Sequence, residues 1–272
     1  MSKPILYIIK VGGHLIDNAP QLQDFLERFA TLTVTRKNTE PSYTILVHGG
    51  GKLATQLSEK LAIVPQLIEG RRITDTETLK IVTMVYAGYI NKNIVAQLQS
   101  LQCNALGLSG ADGNTVLAHK RQHPSIDYGW VGDIDEVNTT FLEQLLLNGT
   151  VPVFAPITHD KKGQLLNTNA DTLAQAIAVS LSKSFSTRLV YSFEKEGVLE
   201  NADNENAVIP TINPTLYEQL KKNGQVHSGM IPKLDNAFKA LQEGVEQVII
   251  GKAAKLQQLT EGKAGTTLKL EA

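Results

Sequence analysis

Short apolar runs rich in β-branched residues alternate with longer segments of helical period along most of this chain, and this alternation strongly restricts its fold. It is typical of an α/β protein, a three-layer αβα sandwich with a mostly parallel central sheet. The predicted strands are residues 5–10, 43–47, 103–108, 151–155, 187–192 and 247–250. The predicted helices are residues 22–34, 52–61, 77–101, 139–147, 170–181 and 232–242.

Two segments interrupt the alternation: residues 63–74, which contain Pro65 and Gly70, and residues 116–138, which are rich in polar residues, glycine and aromatics. Both are long enough for β-hairpins or lids, and loops of this size inside a compact domain are more often functional than idle. We therefore predict that the substrate binds there. A lobe boundary is predicted near Gly163, which divides one domain into lobes 1–163 and 164–272.

Two glycine-rich turns follow the first two predicted strands. One reads Lys10-Val-Gly-Gly13 and the other His48-Gly-Gly-Gly51. A backbone without side chains can approach a phosphate closely, and a helix that starts just after the turn directs free N–H groups at the anion. Two such turns, with Lys10 at the first, indicate an enzyme that handles phosphate groups.

Other interpretations of these turns are weaker. The G-x-G-x-x-A pattern that begins at Gly49 matches a dinucleotide-binding fingerprint, which also needs an acidic residue at the end of the next strand. Glu69 has about that offset but stands beside Gly70 in a turn-rich segment. A Walker-type loop fails because Leu53 stands where Ser or Thr is required. The glycines of either turn alone could simply make a tight turn that binds no ligand. This alternative explains both turns together with Lys10 less well than a phosphate site does.

The composition excludes several classes of partner. The chain has 26 lysines and arginines against 27 aspartates and glutamates, so no long-range field favours nucleic acid or an anionic membrane. Cys103 is the only cysteine, which excludes an intramolecular disulfide and fits a reducing cytosol. The first residues lead straight into a strand and do not resemble a signal peptide, and no apolar run is long enough to cross a bilayer. The chain is predicted to be cytoplasmic.

Six motifs resemble, in order, those of the N-acetylglutamate kinases in the amino acid kinase family. The resemblance extends from about residue 5 to residue 268. It implies the amino acid kinase (carbamate kinase-like) fold. The motifs are Lys10-Val-Gly-Gly13, His48-Gly-Gly-Gly51, Gly70-Arg-Arg-Ile-Thr74, Gly107-Leu-Ser-Gly-Ala-Asp-Gly113, Asn167-Thr-Asn-Ala-Asp171 and Gly229-Met-Ile-Pro-Lys233.

This resemblance implies that the γ-phosphoryl group of ATP, delivered with Mg²⁺, is transferred to the side-chain carboxylate of N-acetyl-L-glutamate or another N-acylglutamate. With N-acetyl-L-glutamate this is the second step of arginine biosynthesis. Such a transfer needs in-line positioning and charge neutralisation more than covalent help. The alternatives are a kinase for N-succinylglutamate or an N-acyl-aminoadipate, an NAD-binding oxidoreductase, and a nucleotide sensor without turnover.

The same resemblance assigns the catalytic set. It implies that Lys10 approaches the transferring group from the acceptor side and Lys233 from the nucleotide side. Two ammonium groups at one site repel each other, so a carboxylate between them is expected, and Asp171 matches the residue that orients both.

The binding residues are implied in the same way. Arg72 matches the clamp on the substrate α-carboxylate, for which a planar guanidinium is well suited, and Asn167 matches a hydrogen-bonding partner of the substrate. Gly50 and Gly51 complete the substrate side. The residues assigned to ATP and its phosphates are Gly12, Gly13, Gly49, Glu194, Gly197, Gly229 and Met230.

Two positions depart from the family pattern. Phe193-Glu194 replaces a Ser/Thr-Asp pair, and Ala111 stands where relatives commonly carry lysine. His48 is interpreted as structural, because a carboxylate nucleophile needs no base. No protein metal site is predicted, since His119 and His123 lie in a polar loop.

The predicted helix 77–101 has apolar residues on more than one face. One face would cover the sheet, and the remainder resembles the helix through which family members form homodimers. Deeper burial within the subunit is the alternative. Because nine residues precede Lys10, too few for the N-terminal helix of arginine-inhibited members, a dimer without arginine feedback is expected.

Overall fold

The structure is a computed structural model that describes residues 3–36, 42–68, 71–200, 207–225 and 230–271. The strands are β1 (Ile5–Val11), β2 (Ser42–His48), β3 (Leu67–Ile68), β4 (Arg71–Arg72), β5 (Ala105–Leu108), β6 (Val116–Lys120), β7 (Gly132–Val137), β8 (Val151–Phe154), β9 (Ile157–His159), β10 (Leu165–Asn167), β11 (Ser186–Phe193), β12 (Thr211–Ile212), β13 (Gln247–Lys252) and β14 (Thr266–Leu268). The helices are α1 (Gly13–Ile16), α2 (Ala19–Arg36), α3 (Gly51–Lys60), α4 (Thr76–Thr83), α5 (Asn91–Ser100), α6 (Thr139–Leu147), α7 (Ala170–Leu181), α8 (Pro214–Lys222), α9 (Ile231–Gln242) and α10 (Leu256–Thr260).

The central sheet has eight strands in the order β12-β14-β13-β11-β1-β2-β8-β5. Its pairs are parallel except for β13 with β14. Because side chains alternate across a strand, Leu6 and Ile8 of β1 enter one core, while Tyr7 and Ile9 enter the other. The predicted mostly parallel sheet is confirmed.

Helices cover both faces of this sheet. On one face α7 and α9 contribute Leu173, Ile177 and Leu234 to the core. On the other face α2 and α5 contribute Phe25 and Ile94. The three layers of the predicted αβα sandwich are therefore present. Among the described helices, none is both long and apolar enough to cross a membrane.

The two interrupting segments contain β-hairpins, one of the two forms that were predicted for them. The first contains β3 paired with β4, and the second contains β6 paired with β7. The second hairpin belongs to a four-stranded sheet, β10-β9-β6-β7. Gly163, the predicted lobe boundary, lies in the turn between β9 and β10, where its φ is +96°.

The predicted helix 77–101 is not one regular helix. Asp75 caps α4 by accepting a hydrogen bond from the Thr78 N–H, and α4 then passes through a π-helical turn, Met84–Ile90, into α5. A π-helical turn changes which residues share a face, so a regular period gives the wrong orientation beyond it. Met84 and Tyr89 remain 55% and 67% exposed.

Candidate active site

The two glycine turns lie side by side at the carboxyl ends of β1 and β2. Gly49 N–H donates to Val11 O at 3.1 Å. A Cβ added to Gly13 would lie 3.5 Å from the Gly50 nitrogen, so the two turns are in van der Waals contact. Gly12 N–H donates to Ser192 O at 3.3 Å, so among the described residues the N–H groups that the two turns leave for a phosphate are those of Gly13, Gly50 and Gly51.

The glycines differ in what a side chain would meet. At Gly50 the φ of +153° disfavours other residues, and a Cβ there would clash with Ile90 and approach Tyr86. At Gly12 and Gly51 the nearest atoms to an added Cβ are 3.8 Å and 4.0 Å away. A Cβ added at Gly12 or Gly51 is therefore expected to harm catalysis more than folding. Gly50 is an exception because the fold itself needs glycine there.

Lys10 and Asp171 form an ion pair beside the turns. Lys10 lies on β1 between Val47 and Tyr191 of the adjacent strands. Its Nζ is 2.7 Å from Asp171 Oδ1, and the two side chains are 17% and 33% exposed. At this distance the ammonium and the carboxylate attract each other directly as opposite charges. Asp171 stands in the first turn of α7, where the helix dipole favours a carboxylate.

Lys233 lies in the first turn of α9, and its Nζ is 4.8 Å from the centre of the Phe193 ring. Lys233 and Asp171 border one cavity together with Tyr191, which we call the lysine cavity. In the described part of the chain, Asp171 pairs with Lys10 and not with Lys233. The three predicted catalytic residues are therefore neighbours, with Asp171 nearest to Lys10.

A second cavity, the arginine cavity, contains the four predicted substrate residues. It has a volume of about 210 Å³, and its lining includes Gly49, Gly50, Gly51, Arg72, Tyr86, Asn167 and Asn169. Asn169 also lines the lysine cavity, so the two cavities adjoin at the start of α7. This arrangement can hold an acid on one side and a phosphate donor on the other.

The Arg72 guanidinium has an unused donor at the arginine cavity. Its Nη2 donates to Gly51 O at 3.0 Å and to Thr55 Oγ1 at 2.6 Å. Its Nη1 is buried and has no hydrogen-bond partner among the described residues. A buried N–H without a partner is costly, and a substrate carboxylate would satisfy it.

Asn167 borders the same cavity at the end of β10. Its Nδ2 donates to Thr74 Oγ1 at 3.0 Å, which connects it to the residues after the β3–β4 hairpin. Burial raises the pKa of the neighbouring Tyr86 hydroxyl, and the charge of Arg72 partly offsets this shift. Tyr86 therefore stays a neutral hydrogen-bonding group.

The predicted nucleotide residues are spread more widely. Gly12 and Glu194 border a third cavity, and Glu194 pairs with His14 at 3.0 Å. Gly197 is buried, and a Cβ there would clash with Thr266 and Val208, so it permits close packing. Met230, partly buried, precedes α9. Gly229 lies outside the described residues, as does Glu69 of the dinucleotide alternative.

The described residues contain no group of three or more His, Cys, Asp or Glu side chains placed to hold a metal ion. His119 Nδ1 lies 2.6 Å from Asp135 Oδ1. His123 contacts the Tyr128 ring edge-on. His119 lies on β6 and not in a loop as expected, and the two histidines are engaged with different partners.

His48 is fully buried beneath the second glycine turn. Its Nδ1 lies 2.8 Å from Gly49 O, and Asn91 Nδ2 lies 3.2 Å from its Nε2. Because the amide donates to Nε2, the ring proton belongs on Nδ1, where it binds the Gly49 carbonyl. Burial lowers the pKa of His48 to about 4, so the ring is neutral and acts as a support for the turn.

His48 predicts a loss of stability in acid. The pKa is about 4 in the fold and about 6.5 in the unfolded chain, so between these values only the unfolded chain takes up the proton. The free energy of unfolding should therefore fall as pH drops from 6.5 towards 4, by about 3 kcal/mol in total. Urea unfolding of a His48→Asn variant should show a smaller fall, and an exposed-histidine control, His123→Asn, should match the parent. Equal pH dependence in all three proteins would contradict this account.

Sequence reasoning missed three residues of the arginine cavity. Asn169 lies inside the Asn167–Asp171 motif and could have been found there. Tyr86 was assigned only to an apolar helix face, although its ring also borders the cavity. Arg121 lies in the polar segment 116–138, whose sequence gives no strand register.

Comparison with known proteins agrees with this architecture. The chain belongs to the amino acid kinase family, whose family model matches residues 6–252. Within that family, an acetylglutamate kinase from Cytophaga hutchinsonii is 53% identical over 268 residues, which cover 98% of each chain.

Solved structures share the fold. The crystal structure of smu.665 from Streptococcus mutans superposes with a TM-score of 0.77 at 28% identity, covering 98% of this chain and 99% of that one. A carbamate kinase from Giardia gives a TM-score of 0.69 at 12% identity, with 99% of both chains covered. The predicted carbamate kinase-like fold is confirmed.

Proposed function

We infer that this chain catalyses ATP-dependent phosphorylation of the side-chain carboxylate of N-acetyl-L-glutamate, the second step of arginine biosynthesis. The observation that carries this inference is the Lys10–Asp171 pair, which stands beside two packed glycine turns where the arginine and lysine cavities adjoin. The name and full-length similarity of the Cytophaga relative support the choice of acid.

The acid is held by its two carboxylates. The α-carboxylate accepts from the unpartnered Nη1 of Arg72, with Asn167 beside it. The side-chain carboxylate then reaches towards Gly50, Gly51 and Lys10. A carboxylate is ionised at neutral pH and attacks without a base, so a neutral His48 is compatible with the chemistry.

The phosphate donor enters from the lysine cavity. The backbone N–H group of Gly13, at the start of α1, faces the phosphates. The Gly12 and Gly49 N–H groups donate to Ser192 O and Val11 O, so these two glycines border the phosphates only as backbone without side chains. Lys233 neutralises charge on the transferring group from the side opposite Lys10. Asp171 offsets the repulsion between the two ammonium groups. This donor set of lysines and N–H groups fits a phosphate chain. Mg²⁺ would arrive on the ATP phosphates, where it neutralises charge, and we assign it no protein ligand.

Product formation tests the function directly. The enzyme would be incubated with ATP, Mg²⁺ and hydroxylamine, which traps an acyl phosphate as a hydroxamate. N-acetylglutamate should yield one hydroxamate per ADP, whereas glutamate and aspartate should yield little. N-succinylglutamate tests whether the enzyme accepts a different acyl group, and N-acetylaminoadipate tests whether it accepts a longer side chain. If the enzyme formed no ADP with any of the acylated acids, the kinase assignment would be wrong.

Arg72 should control the affinity for the acid. An Arg72→Lys variant keeps the charge but loses the fork geometry and the second nitrogen, so we expect KM for N-acetylglutamate to rise about tenfold or more. KM for ATP should change little. Steady-state kinetics would measure both, with thermal unfolding as the check on folding because Arg72 also binds Gly51 O. A rise in KM for ATP alone would contradict the assignment.

We also propose a cytoplasmic homodimer formed through the segment from α4 to α5. Exposed Met84 and Tyr89 of the π-helical turn border a shallow, mainly apolar cavity with Leu53 and Leu57 of α3. A two-fold axis here would bury the same patch on both subunits. The buried Cys103 suits a reducing compartment.

The dimer can be disrupted at its centre. Tyr89→Glu places a charge in the apolar patch, so light scattering after gel filtration should give the mass of a monomer, with far-UV dichroism unchanged. Lys80→Glu, on the exposed side of α4 where Lys80 pairs with Glu77, should stay dimeric. A dimer that persists in Tyr89→Glu would place the interface elsewhere.

A further inference from the structure

A second guanidinium borders the arginine cavity. Arg121 directly follows β6, and its side chain is only 13% exposed. Its Nε donates to Asp133 Oδ1 at 3.0 Å and to Oδ2 at 3.1 Å, and its Nη2 also donates to Asp133. The guanidinium also lies 5.6 Å from the centre of the Tyr128 ring. Arg121 is therefore held in one orientation before any ligand binds.

Backbone contacts connect Arg121 to Asn167. Arg121 N–H donates to Val131 O at 2.7 Å, and Val131 is bridged in parallel to Asn167. Asn167 is followed along the chain by Asn169 and then by Asp171, which pairs with Lys10. Arg121 pairs with Asp133 and is connected through Val131 to Asn167, whereas Asp171 pairs with Lys10, so we infer that Arg121 borders the end of the cavity away from the reacting carboxylate.

This end of the cavity receives the acyl group, if the proposed function holds. The α-carbon of an N-acylglutamate carries a side chain, a carboxylate and an acylated nitrogen, which point in different directions. The side chain leads to Lys10 and the carboxylate to Arg72, so the acyl group is left to face Val131 and Arg121.

An acetyl group has no charge to offer Arg121. We propose that this site accepts N-acylglutamates whose acyl group itself ends in a carboxylate, as succinyl does, and that Arg121 determines this specificity. Asp133 occupies the edge formed by Nε and Nη2. Within the described part of the chain, Nη1 makes no hydrogen bond. A guanidinium has five N–H donors, so it can hold Asp133 and a substrate carboxylate together.

The test compares two acyl groups of equal length. N-succinyl-L-glutamate and N-butanoyl-L-glutamate both carry four acyl carbons, and only the first ends in a carboxylate. The parent enzyme should show a kcat/KM at least about tenfold higher for the succinyl compound. Arg121→Gln should bring the ratio close to one, and Arg121→Lys, which keeps the charge, should retain part of it.

Lys120→Gln is the matched control. Lys120 is the neighbouring cation, it is 44% exposed, and it pairs with Asp127 on the outside of the hairpin, so this variant should keep the parent ratio. Thermal unfolding of all variants checks that Arg121→Gln retains its fold. The ratio of kcat/KM for the two compounds in the parent enzyme is an independent test, because it requires no variant.

Three results would overturn the proposal. If the parent enzyme had equal kcat/KM for the butanoyl and succinyl compounds, it would have no site for an acyl carboxylate. If a folded Arg121→Gln variant kept the parent ratio of the two kcat/KM values, that site would lie elsewhere. Turnover of N-acetylglutamate in the same assay separates these failures from failure of the kinase function. If no N-acylglutamate were phosphorylated, both proposals would fall together.

Discussion

A Lys233→Ala variant is expected to lose about two to three orders of magnitude in kcat, while KM for N-acetylglutamate changes by less than about threefold. Lys233 borders the lysine cavity with Asp171, on the opposite side from the acid. Its charge matters most when the phosphoryl group is in transit, so its loss should affect the transition state more than binding. A coupled ADP-release assay at saturating ATP would measure the effect.

A second lysine on the same helix provides the control. Lys239 is exposed, and its contact with Glu243 is 3.9 Å long. Lys239→Ala should therefore retain parental kcat and KM. If Lys233→Ala retained kcat within about threefold of this control, Lys233 would be an ordinary surface lysine, and the phosphoryl group would lack its partner on the nucleotide side.

Gly51→Ala should lower kcat by about two orders of magnitude without loss of thermal stability. In the structure a Cβ at Gly51 has no neighbour closer than the Tyr86 hydroxyl at 4.0 Å, and alanine is the better helix former at the start of α3. The methyl group would obstruct only a ligand at the turn. Melting temperature and kcat, measured on the same preparation, separate these effects.

Gly50→Ala gives the contrasting result. Its φ is +153°, and its added Cβ would clash with Ile90, so this variant should lose stability as well as activity. Parental activity in Gly51→Ala would show that no phosphate approaches the turn closely. A fall in the melting temperature of Gly51→Ala equal to that of Gly50→Ala would show that the fold itself requires glycine at position 51.

The sequence was most informative where local rules and packing agree. The predicted helix 170–181 matches α7 because Asn169 caps it and its apolar residues repeat with the helical period. Strand β1 was recognisable because it is buried on both faces, which requires a continuous apolar run. Strands β9 and β10 were missed since each has only three residues. Helix α8 was also missed, although Asn213 caps it and Pro214 begins it.

Some features of the site could be predicted from the sequence and others could not. Adjacent parallel strands end at the same edge of a sheet, so contact between the two glycine turns could be expected from the sequence. The pairing of Lys10 with Asp171 depends on distant elements and rested on resemblance alone. Arg121 could not be placed, because a bulge between Leu117 and Ala118 shifts the register of its hairpin.

A crystal structure with ADP, Mg²⁺, tetrafluoroaluminate and N-acetylglutamate would test the central claim most directly, because the planar fluoride group imitates the phosphoryl group in transit. We expect both Lys10 Nζ and Lys233 Nζ within about 3 Å of that group, with the Asp171 carboxylate between them. The claim would be contradicted if Lys233 stayed over the Phe193 ring, away from the fluorides, or if Asp171 contacted neither lysine.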